Sequence, residues 1–227
     1  MYQLFNDTAQ ELLSNLEDNS VDLVLTDIPY GEVNAKAGVS GIRDLNKGDA
    51  DVVTFDLGHI ADEIARVTSG SCYIFCGTKQ ISEIVRRLEA SKMSTRVGVW
   101  EKSNPSPMNG KRLWLSGAEF CVFGRKANAT FNEHCKSAIW RNPVGRAKEH
   151  PTQKPVELMR RLVLASSNPG DLVVDPFCGS GSTGVAAIEE GRRFVGTDIN
   201  PEYVALSKRR LDEAGRTFNG KASRTDP

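Results

Sequence analysis

Two short segments place chemically useful side chains directly after apolar runs. In the first, TDIPY (residues 26–30), a carboxylate and an aromatic ring follow the run VDLVL. In the second, DLVVDPFCGSGSTG (residues 171–184), an acid at the end of an apolar run is followed by glycines. Because ligands of parallel sheets lie outside the carboxyl ends of the strands, we expect both turns to face one crevice.

The glycine-rich turn predicts a site for a nucleotide-type ligand. Small residues at 179, 181 and 184 let the backbone approach a ligand closely. The next apolar run ends in Asp198, about 20 residues later, where a carboxylate can accept hydrogen bonds from ribose hydroxyls. The spacing suits a dinucleotide equally well. A nicotinamide-dependent oxidoreductase is therefore an alternative, but it leaves TDIPY and HPTQKP (residues 150–155) unexplained.

The residues around this turn indicate which ligand it binds. DPFCGSGSTG, together with HPTQKPVELMRRLV before it and VGTDINPEYVALSKRRL after it, closely resembles the cofactor-binding motifs of the DNA amino-methyltransferases. The resemblance implies that the cofactor is S-adenosyl-L-methionine and that its ribose binds Asp198. The cofactor-binding residues implied in this way are Asp175, Phe177, Gly179, Gly181 and Asp198, with His150, Thr152 and Lys154 of HPTQKP beside the cofactor.

TDIPY resembles the Asp-Pro-Pro-Tyr catalytic motif of the same family, with Ile28 in place of the first proline. An aromatic amine is a poor nucleophile because its lone pair is delocalised into the ring, so acceptors on its hydrogens must draw that pair towards the methyl group. The resemblance implies that the Asp27 carboxylate and the Ile28 carbonyl are those acceptors, while Tyr30 stacks on a base flipped out of the duplex. Pro29 biases Ile28 towards extended geometry. The implied catalytic residues are Asp27, Ile28, Pro29 and Tyr30.

Other interpretations of these motifs stay open. Methylation of the exocyclic amine of cytosine uses the same chemistry, although within the family an aspartate at the position of Asp27 favours adenine. The change at Ile28 is compatible with a DNA-binding protein of impaired catalysis. A zinc site at Cys121, His134 and Cys135 lacks paired CxxC knuckles, so we expect no metal. The cysteines, 5 in number, are expected to be reduced and buried.

Charge is unevenly distributed along a chain whose formal net charge is zero. Residues 1–95 carry 8 Lys/Arg against 15 Asp/Glu, whereas residues 96–160 carry 12 against 5. This distribution offers a basic face to a double-stranded DNA partner. Trp140 is predicted to stack on the duplex or wedge into it. The predicted DNA contacts are Lys111, Arg112, Trp140, Arg141, Arg146 and Lys148.

Strand-like and helix-like periods alternate along the chain, which predicts an α/β protein with a mostly parallel sheet covered by helices on both faces. The catalytic motif precedes the cofactor motif, an order that resembles the beta group of the family. The resemblance implies a circularly permuted, seven-stranded S-adenosylmethionine-dependent methyltransferase (Rossmann-like) sheet with one antiparallel strand. The first strand of the chain, at residues 3–5, would be the third strand of that fold, with the last helix ending nearby. Predicted strands are 3–5, 21–27, 72–76, 95–100, 119–123, 171–175 and 192–198; predicted helices are 8–16 (with Asp7 as N-cap), 57–67, 80–90, 155–165, 182–190 and 201–214.

The length predicts one domain. We expect it to span residues 1–215, with a catalytic half at 1–124, a short recognition segment at 125–149, a cofactor half at 150–215 and a flexible tail at 216–227. The short recognition segment indicates a brief target sequence, or help from the polar loop at 31–53 or from a second subunit of a homodimer. The start of the chain lacks a secretion signal and no run reaches about 18 apolar residues. We therefore expect a cytoplasmic protein, without membrane contact, of a bacterium or a phage-infected host.

Overall fold

The computed structural model describes residues 1–31, 55–107, 110–145 and 153–222, so the predicted loop at 31–53 lies almost entirely outside it. The strands are β1 (Tyr2–Phe5), β2 (Val21–Asp27), β3 (Thr68–Cys76), β4 (Ser94–Lys102), β5 (Ala118–Arg125), β6 (Ile139–Asn142), β7 (Leu172–Asp175) and β8 (Arg193–Thr197). The helices are α1 (Ala9–Ser14), α2 (Leu57–Val67), α3 (Ile81–Ala90), α4 (Val156–Ser166), α5 (Ser182–Glu189) and α6 (Pro201–Ala222).

The described strands form one sheet in the order β1-β8-β7-β2-β3-β5-β4-β6. Only β5 among them runs antiparallel to its neighbours, β3 and β4. The predicted mostly parallel sheet with one antiparallel strand is confirmed. The parallel direction also places the carboxyl ends of β2, β7 and β8 at one edge of the sheet. The Tyr2 hydroxyl, on β1, donates to the Asp212 carboxylate of α6 over 2.5 Å, so the first strand and the last helix meet as expected.

Helices cover both faces of the sheet, because alternate residues of each central strand point to opposite sides. On β2, Leu23 and Leu25 join a cluster that includes residues of α4, α5 and α6. Val24 faces the other way, into a cluster with residues of α1, α2 and α3. None of the described helices is long and apolar enough to cross a membrane.

Strand β6 was not predicted, and it gives the described sheet eight strands rather than seven. It is four residues long and follows a segment without sustained periodicity, so no alternating pattern marks it in the sequence. Its Trp140 is only 5% exposed and packs against the rings of Tyr73 and Phe75. A Cβ added to Gly98 of β4 would lie 2.3 Å from the Trp140 ring, so the glycine makes room for it. The prediction that Trp140 stacks on DNA is wrong, because the side chain fills the core.

Smaller corrections concern caps, the tail and one thiol. Thr8 rather than Asp7 is the N-cap of α1, and its side chain accepts from the Glu11 amide. Helix α6 continues to Ala222, through much of the predicted tail. Cys135 is exposed, whereas the other cysteines are buried as expected.

Candidate active site

The two predicted turns lie side by side. Asp27 ends β2 and Asp175 ends β7, and these strands pair directly through Leu23 with Val173. The Thr26 hydroxyl donates to Asp175 Oδ1 over 2.7 Å. This hydrogen bond links the two turns, although its partners are 149 residues apart in the sequence. Burial raises the pKa of Asp175 to about 7, although hydrogen bonds from Thr26 and from the Phe177 amide oppose the rise.

Both carboxylate oxygens of Asp27 are engaged. The Tyr30 hydroxyl donates to Oδ1 over 2.7 Å, and the Lys154 ammonium donates to Oδ2. Lys154 also lies 3.0 Å from a carboxylate oxygen of Glu119 and donates to the Tyr30 oxygen over 3.2 Å. The Lys154 side chain is 6% exposed, so its charge is compensated almost entirely by protein groups. Asp27, Tyr30, Glu119 and Lys154 form one partly buried network, which we call the acidic pair cluster.

Lys102 extends this cluster from the far side. Its ammonium lies 2.7 Å from Glu119 Oε1, and only 14% of its side chain is exposed. Sequence reasoning missed both Lys102 and Glu119 as site residues. The signal that could have found Glu119 is its position near the start of β5: the first residues of an antiparallel strand lie at the edge where its parallel neighbours end. Lys102 is the last residue of β4 and reaches the same edge.

The electrostatics of the cluster keep Lys154 charged. Burial lowers the pKa of Lys154, but Asp27 and Glu119 outweigh that effect and raise it above its usual value. Burial raises the pKa of Glu119, yet the two lysines bring it below its usual value. For Asp27, burial is the largest effect and raises the pKa, while Lys154 opposes the rise. Lys154 thus favours the ionised form of Asp27, against both burial and Glu119.

Aromatic rings complete the surroundings of the Lys154 ammonium. The nitrogen lies 5.3 Å from the centre of the Tyr30 ring, 5.5 Å from that of Phe75 and 6.0 Å from a ring of Trp100. Such distances allow cation–π attraction. A lysine held by two carboxylates and three rings has little freedom to move.

The backbone of TDIPY is fixed by β3 and by Gln80. The Ile28 amide donates to the Phe75 carbonyl over 3.1 Å, and the Ile28 side chain is 2% exposed. A proline at position 28 would have no amide hydrogen to donate, so the Phe75 carbonyl would lose this hydrogen bond. The Gln80 side chain donates to the Pro29 carbonyl over 3.0 Å and accepts from the Gly77 amide over 2.8 Å. The isoleucine that departs from the Asp-Pro-Pro-Tyr pattern therefore has a structural role of its own.

The glycine turn is built around Asp198. Its two carboxylate oxygens accept from the amides of Gly179 and Asn200, each over 2.9 Å. Gly179 and Gly181 have φ values of 48° and 77°, in the left-handed region that favours glycine. A side chain on Gly181 would also meet Ser207 of α6 at 2.9 Å.

A family model described as "DNA methylase" matches residues 21–209, which include both turns and the cluster between them. The chain belongs to the DNA methylase family.

A named relative and a solved structure resemble this DNA methylase along most of its length, and a second relative resembles part of it. It is 29% identical to the type II methyltransferase M2.DpnII of Streptococcus pneumoniae, over 96% of this chain and 91% of the relative. A shorter match, 58% identical over 30% of this chain and 23% of the relative, is to the DNA adenine methyltransferase YhdJ of Escherichia coli K12. The crystal structure of an M1.HpyAVI–SAM complex matches with a TM-score of 0.72 and 29% identity, over 93% of this chain and 100% of that one.

The residues of this DNA methylase at the glycine turn fit a nucleoside-bearing cofactor. Each Asp198 oxygen accepts one amide, which leaves acceptor capacity for ribose hydroxyls. The Ser182 hydroxyl, at the start of α5, is buried and has no hydrogen-bond partner within the described part of the chain. The Phe177 ring is partly exposed beside the turn and lies 5.0 Å from the ring of Phe55.

The remaining predicted residues fall into three groups. His150, Thr152, Arg146 and Lys148 lie outside the described residues. Lys111 and Arg112 are exposed, as is Arg141, whose guanidinium lies 2.7 Å from Glu101. Cys121 is fully buried on β5, and no group of metal-binding side chains occurs among the residues that the structure describes.

Proposed function

We propose that the protein transfers a methyl group from S-adenosylmethionine to the exocyclic N6 amine of adenine in duplex DNA, at a short target sequence. The observation that carries the proposal is Asp27, held at the carboxyl end of β2 directly beside the glycine turn that follows β7. The similarity to YhdJ, a DNA adenine methyltransferase, and to M1.HpyAVI in its SAM complex supports the choice of base and cofactor.

The contacts of TDIPY support a catalytic role. The target base is flipped out of the duplex. When the Tyr30 ring turns onto the base, its hydroxyl leaves Asp27 Oδ1, and that oxygen can accept a hydrogen of the base amine. The Ile28 carbonyl is the second acceptor. Together they draw the nitrogen lone pair out of conjugation, and Asp27 receives the proton that the amine loses.

The glycine turn holds and orients the methyl donor. S-adenosylmethionine supplies a methyl group on a positively charged sulfur, and the N–C bond forms as the S–C bond breaks. Asp198 accepts from the ribose hydroxyls, and Gly179 and Gly181 allow the backbone to approach. Asp175 and Phe177 complete the site, and the resemblance of HPTQKP to the family motif assigns cofactor contacts to His150 and Thr152 as well. The gain in rate comes from alignment of the base amine with the methyl group of the donor.

Phosphate contacts are assigned to the exposed cations. Lys111, Arg112 and Arg141 lie on described, solvent-exposed surface, and Arg146 and Lys148 follow in the same basic segment. We assign the protein to the cytoplasm, where its DNA substrate lies, and expect it to work without a metal.

A methyl-transfer assay tests the proposed function. Purified protein is incubated with duplex DNA and S-adenosylmethionine labelled in the methyl group, and the digested nucleosides are separated by mass spectrometry. We expect labelled N6-methyladenine. Label in N4-methylcytosine would reassign the base, and no label in DNA would reject the proposal.

Replacing Asp198 with alanine is expected to weaken cofactor binding by about 1–3 kcal/mol, because hydrogen bonds to a charged group are lost. Isothermal titration with S-adenosylmethionine measures the effect. Glu202→Ala is the control: it removes an exposed acid four residues further along the chain. Equal affinities for Asp198→Ala and wild type would remove Asp198 from the site.

A further inference from the structure

The segment at residues 110–117 carries an exposed apolar patch between polar neighbours. The Trp114 side chain is 99% exposed, Leu113 is 69% exposed and Leu115 is 44% exposed. The other two tryptophans, Trp100 and Trp140, are 2% and 5% exposed. A fully exposed tryptophan flanked by two exposed leucines indicates a surface that a partner covers.

The charge of the loop indicates the kind of partner. Residues 103–117, between β4 and β5, contain Lys111 and Arg112 and no acidic residue. Both cations are exposed, immediately before the apolar patch. An aromatic side chain next to two exposed cations, in a loop without acidic residues, fits a polyanion that also offers flat apolar faces, and duplex DNA has both.

The position of the loop brings the patch to the catalytic edge. The loop begins directly after Lys102, whose ammonium contacts Glu119 of the acidic pair cluster. The other end of the loop, at Gly117, lies at the same edge, because the Lys102 amide donates to the Gly117 carbonyl over 2.8 Å. Asn104 ties the loop to the exit of β6, where its side chain accepts from the Val144 amide over 2.6 Å.

We propose that Trp114 inserts at the base step that is unstacked when the target base flips, and that Lys111 and Arg112 neutralise the phosphates beside it. The inference rests on the proposed function, since it requires a duplex bound at the Asp27 edge. A flipped base leaves its neighbours unstacked, and an apolar wedge offsets that cost. Trp114 thus takes the role that the sequence had suggested for Trp140.

Tryptophan fluorescence tests the contact without knowledge of the target sequence. Because Trp100 and Trp140 are buried, acrylamide should quench mainly Trp114. Duplex DNA, with binding followed in parallel by anisotropy of a labelled duplex, should protect that emission. In Trp114→Phe the accessible emission should be absent with or without DNA. Bound DNA with unchanged quenching of the wild type would overturn the proposal.

Affinity measurements provide the second test. Trp114→Ala should weaken duplex binding by about tenfold to a hundredfold, while Trp114→Phe keeps most of the affinity because it keeps a stacking face. Leu164→Ala is the control: it truncates a 41% exposed side chain near the carboxyl end of α4 and should leave the duplex affinity unchanged. Neutralising Lys111 and Arg112 together should reduce the log–log salt slope by about 2.

The outcomes separate this inference from the proposed function. DNA methylation by wild type with unchanged duplex affinity in Trp114→Ala would reject only the role of Trp114. Absence of both DNA binding and methylation in wild type would reject both. Sedimentation of wild type and Trp114→Ala tests whether a second copy of the chain covers the patch instead. If wild type is a dimer that the variant dissociates, and the DNA affinity of the variant is unchanged, the patch is a subunit interface and the proposed DNA contact is overturned.

Discussion

Asp27→Ala is expected to reduce methyl transfer by more than about 10²-fold while S-adenosylmethionine binds within a few-fold of wild type. The carboxylate accepts the amine hydrogen as positive charge develops on nitrogen, and loss of one such preorganised partner typically has an effect of this size. The cofactor is held by the other turn, around Asp198. The loss should therefore appear in turnover and leave cofactor affinity almost unchanged.

Asp27→Asn makes this test sharper. Removing Asp27 leaves Lys154, 6% exposed, with Glu119 as its carboxylate partner, so the alanine variant carries a folding cost. The asparagine variant keeps the shape and one acceptor oxygen, and it should remain inactive because the charge is gone. Thermal unfolding of both variants separates stability from catalysis. Near wild-type turnover in a folded Asp27→Asn protein would end the proposed mechanism.

Much of the fold was predictable because its elements carry strong periodic patterns. Helix α2 was predicted with its observed ends, since apolar residues recur on one face; in the structure Asp56 caps it. Strand β2 was also predicted with its observed ends, because a buried apolar run leads directly into TDIPY. The turn chemistry at Gly179 and Asp198 was equally visible, since the left-handed turn requires glycine and the acid follows at the spacing of a nucleotide site.

The partners of the catalytic acid could not be predicted in the same way. Lys154 and Asp27 are 127 residues apart in sequence, and Glu119 belongs to a third element. Their meeting depends on strand order and on the reversed direction of β5, which no local pattern encodes. The same limit applies to Trp114 and Trp140. Both lie in aperiodic stretches, so sequence alone did not tell which tryptophan is exposed.

The Lys154→Met variant is expected to lose activity on the order of 100-fold at neutral pH and to regain part of it as the pH rises. Lys154 opposes the rise in the pKa of Asp27 that burial and Glu119 cause. Without the ammonium, that pKa moves up and the protonated acid can no longer accept the amine hydrogen. Because activity requires the ionised form, the acidic limb of the kcat/KM profile shifts to higher pH.

A charge-matched double variant distinguishes this electrostatic role from simple loss of packing. In Lys154→Met/Glu119→Gln the second carboxylate is also gone, so the pKa of Asp27 should fall back and the acidic limb should return towards that of wild type. Lys102→Met is the matched control, because Lys102 contacts Glu119 but makes no ion pair with Asp27 among the described residues. Its profile should shift less. If Lys154→Met lowers activity equally at every pH, and Glu119→Gln restores none of it, then Lys154 supports the site by shape and cofactor contact rather than by holding Asp27 ionised.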